Sequence, residues 1–303
     1  MDFLYFLEEL RVPVVNAFML LITHLGEESV LLVIALIIFW CVDKYQGYYI
    51  LSVSFFGVLI NQFLKLWYRI PRPWVLDPNF TILEQAREEA SGYSFPSGHT
   101  QSSVGLFGSI WSTTNRKCLK VLSAILIVLV PFSRMYIGVH TPKDVVVSVV
   151  IALILVILLR SLVIENSHRF LPYILIVMAI CTFAYLCFVE FYSFPADIDP
   201  DNLFSGRKNA YTLLGSVLGL IAVYIIDEKW IHMSTRAVWW VQIIKVTVGL
   251  LLVLAVKILL REPLDTLMGE MIGRACRYFL MVIVAGSLWP LSFRRLSKLS
   301  MRE

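Results

Sequence analysis

Residues 133–159, SRMYIGVHTPKDVVVSVVIALILVILL, contain the pattern that decides the fold. In Val145–Leu159 every residue except Ser148 is apolar. Such a run predicts a membrane helix, because a helix crosses the hydrocarbon core of a bilayer only with a predominantly apolar segment of about 20 residues. The Thr141-Pro142 pair before the run is typical of an N-cap followed by a first helical position.

Similar apolar runs fill most of the 303 residues of the chain. Hydrophobic residues make up 58% and charged residues 16%, against about 45–50% and about 25% in average globular proteins. A soluble globule could not cover so much apolar surface, and a disordered chain would not carry it. The sequence therefore predicts an all-α, polytopic transmembrane helical bundle without strands. It offers no basic surface broad enough for nucleic-acid binding.

The apolar runs predict how often the chain crosses the membrane. Val14–Leu25 is too short to span with confidence and is predicted to be re-entrant or interfacial, and residues 1–13 are predicted to form an amphipathic interfacial helix. Nine segments are predicted to span the bilayer: Glu28–Val42, Tyr48–Leu66, Ser102–Thr114, Cys118–Met135, Val145–Leu159, Leu171–Glu190, Ala210–Ile226, Ala237–Leu260 and Met271–Pro290.

The loops between these segments predict the orientation. If successive loops alternate between the two sides, the face opposite loop 68–96 receives more Lys and Arg residues. By the positive-inside rule that face is cytoplasmic, so loop 68–96 lies on the extracytoplasmic or luminal side. A loop of this length is typical of a functional segment or a lid, and a solvated connector is the alternative.

Three groups of polar residues interrupt the apolar pattern. In the first, Lys65 ends a membrane segment and Arg72 follows after a proline-bounded break. Lys65 could simply extend its ammonium to the membrane interface, and Arg72 could be a plain helix exit. Both residues could equally bind an anion.

The second group, Ser97-Gly98-His99, opens the next predicted helix. Ser97 is a natural N-cap, and Gly98 allows a ligand to approach the backbone closely. The free amides at a helix start bind anions, and His99 would lie beside an anion held there. A capped helix with an incidental histidine is the alternative.

The third group contains Arg134, His140 and Asp144. A charge near the end of a membrane helix is costly without a partner, so Arg134 is a candidate ligand-binding residue. Asp144 could form a capping box with Thr141. Its carboxylate could also accept from one nitrogen of His140, which would fix the tautomer and free the other nitrogen as a nucleophile. The two roles are compatible, because a carboxylate has several lone pairs.

The predicted topology brings the three groups to one face of the membrane. They would supply three permanent cations, two imidazoles, one carboxylate and helix-start amides, which suits a phosphate dianion. The sequence has no carboxylate cluster for magnesium or calcium. Side chains must therefore neutralise the phosphate, and we expect no metal and no cofactor.

The three groups resemble the signature of the type 2 phosphatidic acid phosphatase superfamily, which includes lipid phosphate phosphatases, undecaprenyl pyrophosphate phosphatases, sphingosine phosphate phosphatases and glucose-6-phosphatase. The pattern is Lys-x6-Arg-Pro, then Pro-Ser-Gly-His, then Ser-Arg-x5-His-x3-Asp, and the resemblance covers residues 51–162. It implies a six-helix core plus three or four additional C-terminal membrane helices. Residues 1–165 are then the catalytic core with external loop 68–96, and residues 166–303 are further transmembrane helices of the same membrane domain.

The resemblance also implies roles for the polar residues. His140 would attack phosphorus to form a phosphohistidine, and Asp144 would orient it. His99 would protonate the leaving alkoxide and then activate water. The phosphoryl oxygens would be held by Lys65, Arg72, Arg134 and the amides of Ser97 and Gly98.

The expected function is a metal-independent phosphatase, an integral membrane protein that hydrolyses a phosphomonoester or pyrophosphate of a lipid. The expected partners are a phosphorylated lipid, such as a polyprenyl pyrophosphate, phosphatidylglycerol phosphate or a sphingoid phosphate, and the membrane lipids around it. The alternatives are a phosphotransferase to a lipid or sugar acceptor, a sugar-phosphate phosphatase similar to glucose-6-phosphatase, and a transporter or receptor with a cationic pocket.

Overall fold

The structure is a computed structural model, and it describes residues 1–87, 90 and 92–300. Helices account for 81% of the described residues, which contain no strand. The predicted all-α fold is confirmed. Fourteen α-helices are described: α1 Asp2–Glu9, α2 Pro13–His24, α3 Glu28–Cys41, α4 Lys44–Tyr68, α5 Pro73–Leu76, α6 Gly98–Thr113, α7 Lys117–Tyr136, α8 Pro142–Arg160, α9 Ser167–Phe191, α10 Pro200–Ile226, α11 Trp239–Leu259, α12 Arg261–Met268, α13 Glu270–Ile283 and α14 Phe293–Ser300.

The described residues contain seven helices that are long and apolar enough to cross a membrane, or eight if a bent pair counts as one span. The sequence predicted nine spans. The difference arises at α3 and α6, which contain only 14 and 16 residues. Helix α2 meets α3 at a 51° bend, and this pair is the eighth candidate span.

The chain divides into two compact units, and the first contains every predicted site residue. It comprises residues Met1–Leu32, Val53–Arg160 and Phe194–Ser205, and the second comprises Val33–Ser52, Ser161–Ser193 and Gly206–Glu303. Within the second unit, Lys44 pairs with Asp227 at 2.6 Å.

Helix α6 forms the centre of the first unit and packs along both α7 and α8. Its residues from Thr100 to Ser109 are all buried. A Cβ on Gly105 or Gly108 would lie 3.2 Å from a valine side chain, so neighbouring helices approach closely there. Hydroxyl groups such as that of Ser109 donate to carbonyl oxygens of α6 itself. A short, polar helix is thus tolerated at membrane depth because protein surrounds it.

The N-terminal helix α1 packs against loop 68–96. Leu4 is buried with Phe80 and Ile82 of the loop, and the Tyr5 hydroxyl donates to Asp77 at 2.9 Å. Arg11, just after α1, donates to the Thr81 carbonyl at 2.8 Å and to the Tyr136 carbonyl at 3.1 Å. These contacts connect the loop to the end of α7.

The connection between α7 and α8 turns at Gly138, where φ is +90°. A Cβ there would lie 2.8 Å from Nη2 of Arg11 and 3.0 Å from the Phe80 ring. Gly269 has a similar φ of +80°, but no heavy atom of the described residues lies within 4 Å of its Cβ position.

We therefore expect Gly138→Ala to destabilise the protein more than Gly269→Ala. Both changes place a Cβ at a positive φ, which costs about 1–3 kcal/mol, whereas only the first also crowds Arg11 and Phe80. Thermal unfolding of both variants in detergent would measure the difference. Equal losses of stability would contradict this account of the connection.

Candidate active site

One cavity of about 320 Å³ in the first unit brings the three predicted groups together. Lys65 lies at the end of α4, and Arg72 lies in the break after it. Gly98 and His99 lie at the start of α6. Arg134 lies at the end of α7, and His140 lies in the connection between α7 and α8. Helices that alternate in direction place their ends at one side of the bundle, which explains the convergence. Ser97 and Asp144 do not line the cavity and lie behind it.

The His140 imidazole is buried between Arg72 and the start of α8. Its Nε2 lies 2.9 Å from Nη1 of Arg72, and its Nδ1 lies 3.6 Å from Oδ2 of Asp144. A guanidinium has no acceptor atom, so Nε2 must accept and the proton must be on Nδ1. The Nε2 lone pair therefore accepts from Arg72, which also lines the cavity, and a substrate must displace this contact before Nε2 can attack.

Asp144 forms the capping box considered from the sequence, and its carboxylate lies near His140. Its Oδ2 accepts from the Thr141 amide at 2.8 Å, and its own amide donates to the Thr141 hydroxyl at 3.4 Å, which is a capping box. The same oxygen accepts from the Ser94 hydroxyl at 2.6 Å and faces His140. The hydrogen bonds fix the carboxylate in position beside Nδ1.

The electrostatic surroundings favour the neutral form of His140. Burial of the imidazole, and then the nearby positive charges of Arg72 and Arg134, lower the pKa of His140 well below its usual value. A neutral imidazole at pH 7 is a competent nucleophile, because only this form has the free lone pair.

The two arginines are held by neutral oxygen atoms. Arg72 donates from Nε to the Gly92 carbonyl at 2.9 Å and from Nη1 to the Val139 carbonyl at 3.0 Å. Arg134 donates from Nη1 to the Thr23 hydroxyl at 2.5 Å. These acceptors orient the guanidinium groups, and the carboxylates of Asp144 and Glu27 interact electrostatically with Arg72 and Arg134 respectively. With Lys65 included, the described lining of the cavity has more basic than acidic side chains, which suits an anion.

The start of α6 forms another wall of the cavity. The predicted N-cap is confirmed, because the Ser97 hydroxyl accepts from the Thr100 amide at 3.4 Å. Nε2 of His99 is buried, with no hydrogen-bond partner among the described residues. Gly26 packs directly against His99, since a Cβ on Gly26 would lie 3.0 Å from the His99 Cβ. The chain's first helices therefore help to position this imidazole.

Sequence analysis missed several residues of the site. Ser94 supports the pair formed by Asp144 and His140, Thr23 supports Arg134, and Glu27 and Glu28 line the cavity. Ser94 stands three residues before Ser97, but nothing in the linear pattern indicates a contact across 50 residues. The turn between α2 and α3 gave no signal, because its position over the site depends on the tertiary fold.

Protein-family models match segments in both halves of the chain. Residues 46–168 match the family model of the PAP2 superfamily, and residues 211–302 match that of the PAP2 superfamily phosphatase, transmembrane extension. Phosphatidylglycerophosphatase B of Bacillus subtilis (strain 168) is 30% identical over 165 residues, covering 50% of this chain and 77% of the relative.

Two further relatives match shorter parts. The probable sphingosine-1-phosphate phosphatase of Dictyostelium discoideum is 32% identical over 145 residues, which are 43% of this chain and 34% of the relative. Undecaprenyl-diphosphatase BcrC of Bacillus subtilis (strain 168) is 33% identical over 99 residues, which are 33% of this chain and 48% of the relative. No solved structure matches the chain.

We expect Thr23→Val to weaken the binding of orthovanadate about tenfold, or about 1.4 kcal/mol, because Arg134 loses the acceptor that orients it. Valine is close to threonine in shape, so the packing of α2 is retained. The dissociation constant can be measured from the dependence of the unfolding temperature on vanadate concentration.

Thr182→Val is the matched control. Thr182 is also fully buried, but its hydroxyl donates to a carbonyl of its own helix, that of Met178. An equal effect of both substitutions would show that Thr23 has no special role in the site.

Proposed function

Because the chain belongs to the PAP2 superfamily, we propose that it is an integral membrane phosphatase that hydrolyses a phosphomonoester or pyrophosphate of a lipid through a phosphohistidine intermediate. The observation that carries the proposal is the orientation of His140. Its Nε2 faces a cavity lined by Lys65, Arg72 and Arg134, while Nδ1 faces Asp144.

In the first step, Nε2 of His140 attacks phosphorus and the bond from phosphorus to the leaving oxygen breaks. Asp144 holds Nδ1–H and stabilises the positive charge that develops on the ring. His99 donates a proton to the leaving oxygen. The incoming phosphate dianion balances the positive charges of the cavity, which permits His99 to carry that proton.

In the second step, a water molecule attacks the phosphohistidine. His99 accepts a proton from the water, the bond from phosphorus to nitrogen breaks, and orthophosphate leaves. In both steps Lys65, Arg72 and Arg134, together with the amide of Gly98, hold the phosphoryl oxygens. The Ser97 amide, which the sequence also suggested for this role, instead donates to the Asp144 carbonyl at 3.4 Å. Donors fixed in advance around a developing charge are worth about 10²–10³ in rate each.

The proposed substrate is a lipid phosphate, and the proposed side is extracytoplasmic or luminal. The names of the relatives support the first point, since they refer to phosphatidylglycerophosphate, sphingosine 1-phosphate and undecaprenyl diphosphate. The distribution of basic loop residues supports the second. Three cations supply the charge neutralisation that a metal would otherwise provide, so the proposed reaction is metal-independent.

We expect His140→Ala to reduce orthophosphate release by at least about 10³-fold, because the nucleophile is lost. Release from phosphatidylglycerophosphate, sphingosine 1-phosphate and undecaprenyl diphosphate would be measured in detergent with EDTA. His232→Ala, a change of an exposed histidine in the second unit, is the control. Unchanged release by the His140 variant would refute the proposed mechanism, and loss of wild-type activity in EDTA would refute metal independence.

We expect Ser94→Ala to lower kcat about tenfold and to leave KM nearly unchanged. Ser94 holds the Asp144 carboxylate at 2.6 Å but does not line the cavity. Steady-state kinetics would separate the two constants.

The control for Ser94→Ala is Ser148→Ala. Ser148 is equally buried, and its hydroxyl donates to the backbone carbonyl of Asp144 at 2.8 Å instead of to the carboxylate. A similar loss of kcat in both variants would mean that the contact between Ser94 and the carboxylate has no specific role.

A further inference from the structure

The cavity extends beyond the residues that would surround the phosphoryl group. Beyond Lys65 it continues along one face of α4 past Gln62 and Val58. Gln101 of α6 and Glu28 at the start of α3 complete this second part. The second part is polar, and residues 1–45, which include Glu28, lie outside the segments matched by the two family models.

Glu28 introduces a negative charge beside a site for an anion. It is the first residue of α3 and lines the same cavity as Lys65, with which it interacts electrostatically. Glu28 is exposed at the edge of the cavity, and no hydrogen bond to its carboxylate is found among the described residues. The neighbouring Glu27 differs, because it is engaged by His24 at 2.6 Å and by the Ser29 hydroxyl at 2.9 Å.

Gln101 provides a second and independent indication of a ligand. Its side chain is only 4% exposed and lines the cavity. Neither its amide nitrogen nor its amide oxygen has a hydrogen-bond partner among the described residues. A buried amide without partners is costly, and such groups in native proteins call for a specific explanation. The amide nitrogen packs against Gly57, where a Cβ would lie 2.9 Å from it, so rotation of the side chain would bring the amide to a polar ligand group in this part of the cavity.

The volume of the cavity limits which part of a lipid it can hold. About 320 Å³ is at the lower end of the range of about 300–1,000 Å³ for ligand pockets. The phosphoryl group and the first few atoms of the leaving group fit such a space, whereas long hydrocarbon chains must remain outside. Glu28 and Gln101 are therefore positioned to contact atoms close to the phosphoester oxygen.

We propose that Glu28, assisted by Gln101, binds a hydrogen-bond donor on the leaving group, a hydroxyl or ammonium next to the phosphoester. This inference rests on the proposed phosphatase function and narrows its substrate class to phosphate monoesters of polyhydric or amino alcohols. A donor on the leaving group satisfies the Glu28 carboxylate. An ester of a plain hydrocarbon alcohol, or a pyrophosphate, brings its negative charge near Glu28 without supplying that donor.

The test compares three monoesters in detergent: 1-oleoyl lysophosphatidic acid, which has an adjacent hydroxyl, sphingosine 1-phosphate, which has an adjacent ammonium, and oleyl phosphate, which has neither. For the first two we expect Glu28→Gln to lower kcat/KM about tenfold, with the larger loss for the ammonium substrate because a charge pair is lost. For oleyl phosphate we expect no loss. Glu28→Asp should retain the preference, and Glu9→Gln, a change of an exposed glutamate, is the control.

Gln101→Met provides a second test of the inference, because methionine retains the length of the side chain without its amide. We expect it to reduce the preference for donor-bearing substrates in the same direction. A merely structural role for Glu28 or Gln101 would lower kcat/KM equally for all three substrates, and that result would overturn the inference.

Failure of the inference can be distinguished from failure of the proposed function. If His140→Ala abolishes release from all three monoesters but Glu28→Gln does not change the preference, only the inference fails. If release from every substrate is independent of His140, the proposed function itself fails. Thermal unfolding of each variant would show whether it is folded. If Glu28→Gln does not fold, the substrate preferences of Gln101→Met and Glu28→Asp are measured instead.

Discussion

The site depends on the position of one guanidinium group, that of Arg72. Its Nη1 contacts Nε2 of His140 at 2.9 Å and the Val139 carbonyl at 3.0 Å, while its Nε contacts the Gly92 carbonyl at 2.9 Å. One side chain therefore joins the external loop to the connection between α7 and α8. Because an arginine can only donate, its contact with His140 also determines which ring nitrogen carries the proton.

Buried positive charge is the main energetic constraint on this arrangement. Arg72 and Arg134 are 5% and 1% exposed, and taking such groups out of water is costly without partners. Carbonyl and hydroxyl oxygens provide hydrogen bonds to both guanidinium groups. The cavity is thus prepared for an anion, and donors that are already oriented need not reorganise when the anion arrives. Binding and catalysis of phosphoryl transfer would use the same fixed groups.

The polar helix α6 and the first helices of the chain give the site its walls. Helix α6 can begin with Gly98 and His99 at membrane depth because α7 and α8 enclose it. The turn between α2 and α3 places Gly26 against His99 and brings Thr23 to Arg134. A segment that looked too short to span the bilayer therefore contacts a residue that lines the cavity. Its sequence alone gave no reason to expect this contact, because an apolar run with a break looks the same whether or not it lies beside a cavity.

The sequence alone determined the helical class of the protein, the resemblance to its superfamily, the caps at Ser97 and Thr141, and a set of seven polar residues and Gly98 near helix ends. These features follow from composition, from short-range spacing and from the alternation of helices across a membrane, all of which are visible in one dimension. Only the tertiary structure decided the orientation of His140, the support from Ser94 and Thr23, and the presence of Glu28 and Gln101 in the cavity. Those contacts join residues far apart in the chain, and their geometry depends on how helices pack rather than on any local preference.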